Sequence, residues 1–509
     1  MMQIRNITIT HKKDLRNLIE GFSFVLNKGD RVAIIGEEGN GKSTLLKLIY
    51  DEKLVQEYIE YTGDIIKKDI KIAYLPQELG CENKCKSIFE YLSGSPGFYE
   101  LTPKELANIA FKIGIEIEMF YSQQIMNTLS GGEKIKIQFA KMLMDKPSTL
   151  LLDEPSNDID IATLDWLEKF INTCGLSVIF ISHDETLTEN TANVIIHLEQ
   201  IKRKSVCRFT IAKMGYKEYV EKRLSKFQRE EQVARKEREE YEKQQEKFRR
   251  IQQKVEHDQN CISRQDAHGG KLLKKKMHVV KSMEKRFGKE FENLTEIPCK
   301  EDAILIKFYE DVGLPKGKII LDLHDKNLMV GDKILAKNID ITVRGSDKIC
   351  IIGKNGVGKT TFIKEVAEYL LSRKDVKVAY MPQNYEDTMD YSETPVEFLS
   401  VIGDKDEGSK IRTFLGSMKY TTAEMDHHIS ELSGGQRAKL FFLKMIMTKC
   451  NVLILDEPTR NFSALSSPVI RGILREYRGT IISVSHDRKF IAEVCSIIYE
   501  FTEHGLIKQ

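Results

Sequence analysis

GEEGNGKS at 36–43 and GKNGVGKT at 353–360 decide the fold, because each is a glycine-rich turn that follows an apolar run and leads into a helix-forming segment. Their companions repeat in the same order. LSGGE at 129–133 returns as LSGGQ at 432–436, LLLDEP at 150–155 as LILDEP at 453–458, and ISHD at 181–184 as VSHD at 484–487. From Ser130/Ser433 through Asp153/Asp456 to His183/His486 the offset is a constant 303, whereas at the glycine turns it is 317. The second copy is therefore 14 residues shorter in between, and 11 of these are lost before the YLPQ (74–77) and YMPQ (380–383) element. Such a period is a tandem duplication of one domain. Near-continuous apolar runs at 32–35, 349–352, 150–152, 452–455, 178–181 and 481–484 precede the motifs. They predict parallel strands covered by helices on both faces, an α/β fold.

The chain has 509 residues, enough for two or three domains of roughly 100–200 residues each. It is 30% charged, but 78 Lys+Arg against 76 Asp+Glu leave only +2. That balance conceals an asymmetry. Residues 213–292 hold 23 Lys/Arg and 15 Asp/Glu, a local +8, which leaves −6 for the rest. A basic module between acidic ones points to an anionic partner for that module. No apolar run approaches the roughly 18 residues that would span a bilayer. The N-terminus, MMQIRNITIT, reads as an alternating strand and not as a signal peptide. Nine scattered cysteines, of which only Cys81 and Cys85 lie close, fit reduced thiols in a cytoplasmic protein.

The glycine turns have the chemistry of a P-loop. Gly36, Gly39 and Gly41, like Gly353, Gly356 and Gly358 with Asn355, let backbone N–H groups approach phosphate oxygens. Lys42 and Lys359 are placed for the β- and γ-phosphates, Ser43 and Thr360 for Mg²⁺, and Thr44 and Thr361 follow them in the same loops. The pair Glu37-Glu38 is unusual beside a phosphate cradle; it reads as exposed turn residues, with weakened nucleotide affinity at this site as the alternative. Asp153 and Asp456 end apolar strands as Mg²⁺ carboxylates, with Gln77 and Gln383 as further Mg²⁺ and water contacts. Glu154 and Glu457 are the candidates to orient or activate the attacking water. His183 and His486, each 29 residues beyond its glutamate, are candidates for a γ-phosphate contact.

Between the copies the pattern changes period. Phe227, Ala234, Tyr241, Phe248 and Val255 recur every seven residues, with Val220, Leu224 and Ile251 between them. After His268-Gly269-Gly270 the seven returns at Leu273, Val280, Phe287 and Leu294, joined by Met277 and Phe291. This predicts an antiparallel helical hairpin, with an arm of 40 residues, or about 60 Å. Its polar tip is HDQNCISRQDAHGG, about 257–270. The returning helix carries Lys271, Lys274, Lys275, Lys276, Lys281, Lys285, Arg286 and Lys289 against one acid, Glu284. Bases so placed suit phosphates of a shaped RNA surface.

LSGGE and LSGGQ, with the P-loops and the DEP carboxylates, make each copy resemble an ABC-type ATPase. The resemblance implies that each signature completes the ATP site of the opposite copy. Site one would add Ser433, Gly434 and Gly435 to Lys42, Ser43, Gln77, Asp153, Glu154 and His183. Site two would add Ser130, Gly131 and Gly132 to Lys359, Thr360, Gln383, Asp456, Glu457 and His486. No aromatic residue precedes either loop to stack on the base, so the residues leave ATP and GTP both open. EPSNDID (154–160) ends in Asp160, whereas EPTRNFS (457–463) has Ser463 at the matching place. In the family this element reaches across the pair, which implies unequal sites.

Two such copies joined by a basic helical linker resemble the ABC-F translation ATPases over essentially the whole chain. The expected organisation is a first ABC domain at 1–205, a linker at 206–300 and a second ABC domain at 301–509. The resemblance implies a cytoplasmic monomer whose ATPase domains pair with each other, using ATP and Mg²⁺. The implied partner is the bacterial 70S ribosome, entered at the tRNA exit site, with 23S rRNA and P-site tRNA as contacts. Ile262, Arg264, Lys271, Lys274, Lys275 and Lys276 would face RNA. EPTRNFSALS (457–466), the 53 residues between Gln77 and Ser130, and an end 23 residues past His486 resemble the antibiotic-resistance branch. That branch implies displacement of drugs of the pleuromutilin, lincosamide and streptogramin A type. A general factor for stalled ribosomes is the nearest alternative. A transporter's energy subunit has no use for the hairpin. A long coiled-coil repair ATPase would split one ATPase domain, and a zinc-bearing one would show paired CxxC motifs.

Overall fold

The computed structural model describes residues 2–201, 206–261, 275, 277–280, 282, 308, 312–331, 333–400, 405–418 and 420–509. The chain divides into two compact units, Met1–Tyr216 with Glu301–Gln509, and Lys217–Lys300. In the first unit both copies build the same six-stranded sheet. Half one orders it Ile72–Leu75, Thr149–Asp153, Ser177–Ile181, Arg31–Ile35, Val194–Ile201, Val206–Ala212, parallel except at the last pair. Half two repeats it as Val378–Met381, Val452–Asp456, Thr480–Val484, Lys348–Ile352, Ile497–Thr502, Gly505–Lys508. The apolar runs read from the sequence are these strands. Thr149–Asp153, Ser177–Ile181, Val452–Asp456 and Thr480–Val484 are buried at every position, and each fully buried aliphatic contributes roughly 1.5–3 kcal/mol. Because they are parallel neighbours, the strands that end in the glycine loop, the carboxylates and the histidine all open at one sheet edge, where α/β folds bind ligands.

An antiparallel layer distinguishes the halves. In half one the N-terminal strand Met2–His11 pairs with Asn17–Leu26 and Ile59–Lys67. In half two Ile319–Val330 pairs with Lys333–Arg344 alone, and helix Lys359–Leu371 leads to Val378–Met381 with no strand between. The residues missing from the second copy before YMPQ are those of this third strand.

The two halves meet through charge. Arg471 of half two, 2% exposed, reaches Glu185 of half one at 2.6 Å and Glu493 at 3.0 Å. Arg488 pairs with Asp165 (2.9 Å) and Glu168 (3.0 Å), and Lys489 with Glu185 (3.0 Å) and Glu189 (2.6 Å). Removing one partner of a buried pair typically costs about 3–5 kcal/mol, so these contacts hold register as much as they add attraction. The segments after the glutamates differ as EPSNDID and EPTRNFS suggest. Asp160 caps helix Ile161–Thr173 by accepting from Thr163 N at 2.9 Å. The counterpart in half two starts only at Ser467, with Ser463 Oγ accepting from Ser466 N at 3.2 Å.

The second unit contains most of a 46-residue helix, Tyr216–Cys261, about 69 Å long. It exceeds the expected 40-residue arm and continues to Cys261, inside the segment read as the polar tip. Phe227, Ala234, Tyr241 and Phe248 fall on its shielded stripe. Leu224 and Ile251, read as intermediate seam positions, are each 47% exposed, and Glu237, Gln245 and Gln252 hold those rows instead. The seam is thus half polar, which a search for apolar heptads cannot register. Of the returning segment Met277 and Val280 are helical and Val280 is buried. Among the RNA-facing expectations Lys275 is helical and exposed, while Ile262, Arg264, Lys271, Lys274 and Lys276 lie outside the described residues. Also outside are Leu273, Phe287, Phe291 and Leu294.

Candidate functional site

Strand Arg31–Ile35 runs into the first glycine loop, and helix Lys42–Tyr50 leaves it. Gly36 has φ 143°, and a Cβ there would stand 2.2 Å from the Leu198 carbonyl, so a neighbouring strand enforces the first glycine. Gly41 caps the helix at φ 82° with no side-chain cap, leaving the terminal N–H groups open to a ligand. The buried Lys42 donates from Nζ to the carbonyls of Gly36 (2.9 Å) and Glu37 (3.0 Å). Ser43 Oγ donates to Asp153 Oδ1 at 2.8 Å, and the Tyr74 hydroxyl donates to Oδ2 at 3.2 Å. Both oxygens of this buried carboxylate are engaged. Thr44 follows at the helix start, within reach of Tyr58.

Glu154 sits at φ 53°, a left-handed conformation, and its Oε1 meets His183 Nε2 at 2.9 Å. The other ring nitrogen of His183, Nδ1, lies 2.8 Å from the Phe462 carbonyl of half two. The ring of His183 thus faces one oxygen from each half. Burial pushes the Glu154 carboxyl up, but His183 and Lys42 outweigh it and hold it below the ordinary carboxylate value.

Site two is built alike and charged differently. Gly353 (φ 148°) approaches the Phe501 carbonyl as Gly36 does Leu198, and Lys359 Nζ donates to the carbonyls of Gly353 (2.8 Å) and Lys354 (2.7 Å). Asp456 is 1% exposed, and neither of its carboxylate oxygens closes a full hydrogen bond within the protein, although the Thr360 side chain is near enough to favour its ionised form. Burial pushes it up to about 6. Glu457, at φ 52°, is pushed up to about 8 by burial and by Asp456 beside it. His486 Nε2 is 3.9 Å from Glu457 Oε1 and its Nδ1 has no partner; burial, then Lys359, push this imidazole down to about 4. An orphaned buried carboxylate next to Thr360, on a cavity that Gln383 also lines, fits a hard cation such as Mg²⁺ bound through oxygens.

The signatures lie across the halves. Ser130 caps helix Gly131–Met144, and Ser433 caps Gly434–Met447, each closing a capping box with Glu133 or Gln436. Gly131 lines the same cavity as Asn355, Gly356, Gly358, Lys359, Thr360 and Thr361. That cavity is about 780 Å³ and runs on to Gln77, Glu154 and His183. At site one Gly435 N donates at 2.6 Å to Oε2 of Glu38, and the space there is about 40 Å³. Packing also accounts for the signature glycines: a Cβ on Gly131 would stand 1.8 Å from the Asp158 carbonyl, and one on Gly132 2.5 Å from Thr163 Oγ1. Beside the loops stand aliphatic chains, Leu18 at Gly41 and Leu335 at Gly358.

Tyr74, Tyr380 and the Phe462 carbonyl escape the motif reading, and so does the partner of Glu38. Tyr74 and Tyr380 head matched YLPQ and YMPQ elements, a signal that was present. Glu38 replaces the Asn355 of the second loop, also visible, but its partner is 397 residues away. The Phe462 carbonyl has no side-chain signature at all.

The family model described as ABC transporter matches residues 19–157 and 336–460. Among curated proteins the chain is 27% identical over 514 residues to the ATP-binding protein Uup of Buchnera aphidicola, covering 96% of this chain and 79% of that protein. It is 29% identical over 491 residues to the ribosome protection protein VmlR of Bacillus subtilis, covering 95% and 84%. It is 25% identical over 539 residues to ABC transporter F family member 2 of Arabidopsis thaliana, covering 96% and 73%. Among solved structures, the archaeal ribosome recycling factor aABCE1 in complex with the stalk protein aP1 shares the fold at TM-score 0.61 and 17% identity, covering 99% of this chain and 90% of that one. Among the described residues no helix is long and apolar enough to cross a membrane.

Proposed function

The chain belongs to the ABC transporter family of ATP-binding proteins, as a tandem pair of its ATPase domains that use ATP with Mg²⁺, and from that premise we propose that it works on the ribosome as an ABC-F ATPase. The observation that carries this reading is a 46-residue charged helix set between two ATPase halves that already share their sites. A relative named for ribosome protection, aligned along 95% of the chain, supports it. In this reading the protein is a cytoplasmic monomer that enters the tRNA exit site of the bacterial 70S particle. The linker tip reaches P-site tRNA and 23S rRNA near the peptidyl transferase centre and displaces pleuromutilin, lincosamide or streptogramin A drugs. General relief of stalled ribosomes is the second reading.

The side chains divide the work as follows. Lys42 and Lys359 hold the β- and γ-phosphates, and the glycine-loop amides cradle them. Ser43 with Asp153, and Thr360 with Asp456, hold Mg²⁺, with Gln77 and Gln383 as further contacts. Mg²⁺ would neutralise charge developing on the phosphate oxygens. Glu154 and Glu457 orient the attacking water, His183 and His486 meet the γ-phosphate, and each signature serine-glycine turn closes the opposite site. ATP thus draws the halves together and hydrolysis lets them part. The double variant Glu154→Gln/Glu457→Gln with ATP is expected to co-sediment with 70S particles well above wild type. Equal sedimentation overturns the ribosomal reading. Drug susceptibility of an expressing strain then separates the two variants of it.

A further inference from the structure

We propose that Glu38 is an internal stand-in for the γ-phosphate at site one, so that this site selects a nucleoside diphosphate over a triphosphate. The carboxylate lies over the first turn of helix Gly434–Met447. Its Oε2 accepts from the Gly435 N–H at 2.6 Å, and a methyl group added to Gly434 or Gly435 would come within 3.6 and 3.2 Å of its two oxygens. The first turn of a helix offers unpaired N–H donors and the positive end of the dipole, which is what an anionic oxygen seeks. On its other side Glu38 acts on the ammonium of Lys42. The Gly435 N–H, which would grip a terminal phosphate from the opposite half, is thus already held by an anion of the chain, and that anion lies within the field of Lys42.

Site two provides the internal control. Asn355 occupies the matching place in the second loop, and its Nδ2 donates to the Asp158 carbonyl at 2.7 Å, bringing no charge to helix Gly131–Met144. Between Glu37, Glu38, Ser433 and Gly435 about 40 Å³ is left, near the share of one water, whereas Asn355 lines a cavity of about 780 Å³ that runs on to Glu154 and His183. A diphosphate can enter beside Lys42 and leave Glu38 seated. A triphosphate must expel the carboxylate from Gly435 and then lie against its charge. The sequence difference, an acid in one loop where the other has an amide, thus becomes a difference in which nucleotide completes the closed pair.

This inference rests on reading site one as a nucleotide site, and the experiment separates the two. In the full chain carrying Lys359→Ala, so that only site one binds, calorimetry would compare Mg·ADP with the non-hydrolysable Mg·AMP-PNP for Glu38, Glu38→Gln and Glu38→Asn. With Glu38 the diphosphate is expected to bind about tenfold or more tighter than the triphosphate. Both substitutions should shrink that preference about tenfold by tightening the triphosphate, while ADP moves less than about threefold. An unchanged ratio overturns the role of Glu38, and so does equal tightening of both nucleotides, which would mean general repulsion of phosphate. Failure of either nucleotide to bind in all three proteins overturns the reading of site one along with it.

Discussion

The two ATP sites share motifs, strand order and backbone geometry, yet their glutamates lie on opposite sides of the ordinary carboxylate value. At site one the glutamate is ionised and paired: Glu154 meets His183 at 2.9 Å, and Asp153 is bonded through both oxygens. At site two Glu457 is pushed up to about 8, Asp456 closes no full hydrogen bond within the protein and His486 is pushed down to about 4. A glutamate held ionised by a neighbouring imidazole and ammonium is a weaker base towards water than one whose carboxyl is pushed up by burial. Glu154 is the first kind, and Glu457, whose Oε2 accepts from the His486 N–H at 3.3 Å, is the second. The difference teaches that matched motifs fix position, while the surrounding charges set the protonation of the glutamate each motif carries.

The most direct way to break this comparison is to remove each glutamate alone. Glu457→Gln is expected to lower steady-state ATP turnover about 100-fold or more, and Glu154→Gln less than about threefold, as phosphate-release assays would read. Equal losses would mean that the sites work alike. A smaller effect sharpens it through pH. Glu457 must be ionised to orient or accept from water, and its raised value means that the active form grows as pH rises. The kcat/KM of Glu154→Gln, which reports the free enzyme, should therefore climb about tenfold between pH 7 and 9, with its midpoint near 8. A flat profile would show that Glu457 is already ionised. The smallest expected effect concerns Asp153. Tyr74→Phe removes one bond worth about 1 kcal/mol and should shift half-saturation by Mg²⁺ at site one by a few fold, with no change at site two.

Much of this molecule could be read from the chain. The six-stranded sheets follow from apolar runs that need only local composition, and the phosphate loops from glycines whose neighbours, the Leu198 and Phe501 carbonyls, belong to the same repeated half. What could not be read depends on partners far apart in sequence or lacking a side-chain signal. Glu38 was visible as an odd acid, but only the folded pair brings it to Gly435. Along the linker, Leu224 and Ile251 fit an apolar heptad better than Glu237, Gln245 and Gln252 do, and yet the polar residues are the shielded ones. Periodicity names the residues able to bury themselves; the partner surface chooses among them.

The left-handed backbone at Glu154 and Glu457 has one further consequence. A side-chain-bearing residue at φ 53° or 52° costs about 1–2 kcal/mol that glycine would not. Folding alone would therefore prefer glycine at both positions. Under the proposed hydrolysis the carboxylates are what this strain secures, so Glu154→Gly or Glu457→Gly should gain stability while losing turnover, a trade written into a backbone angle.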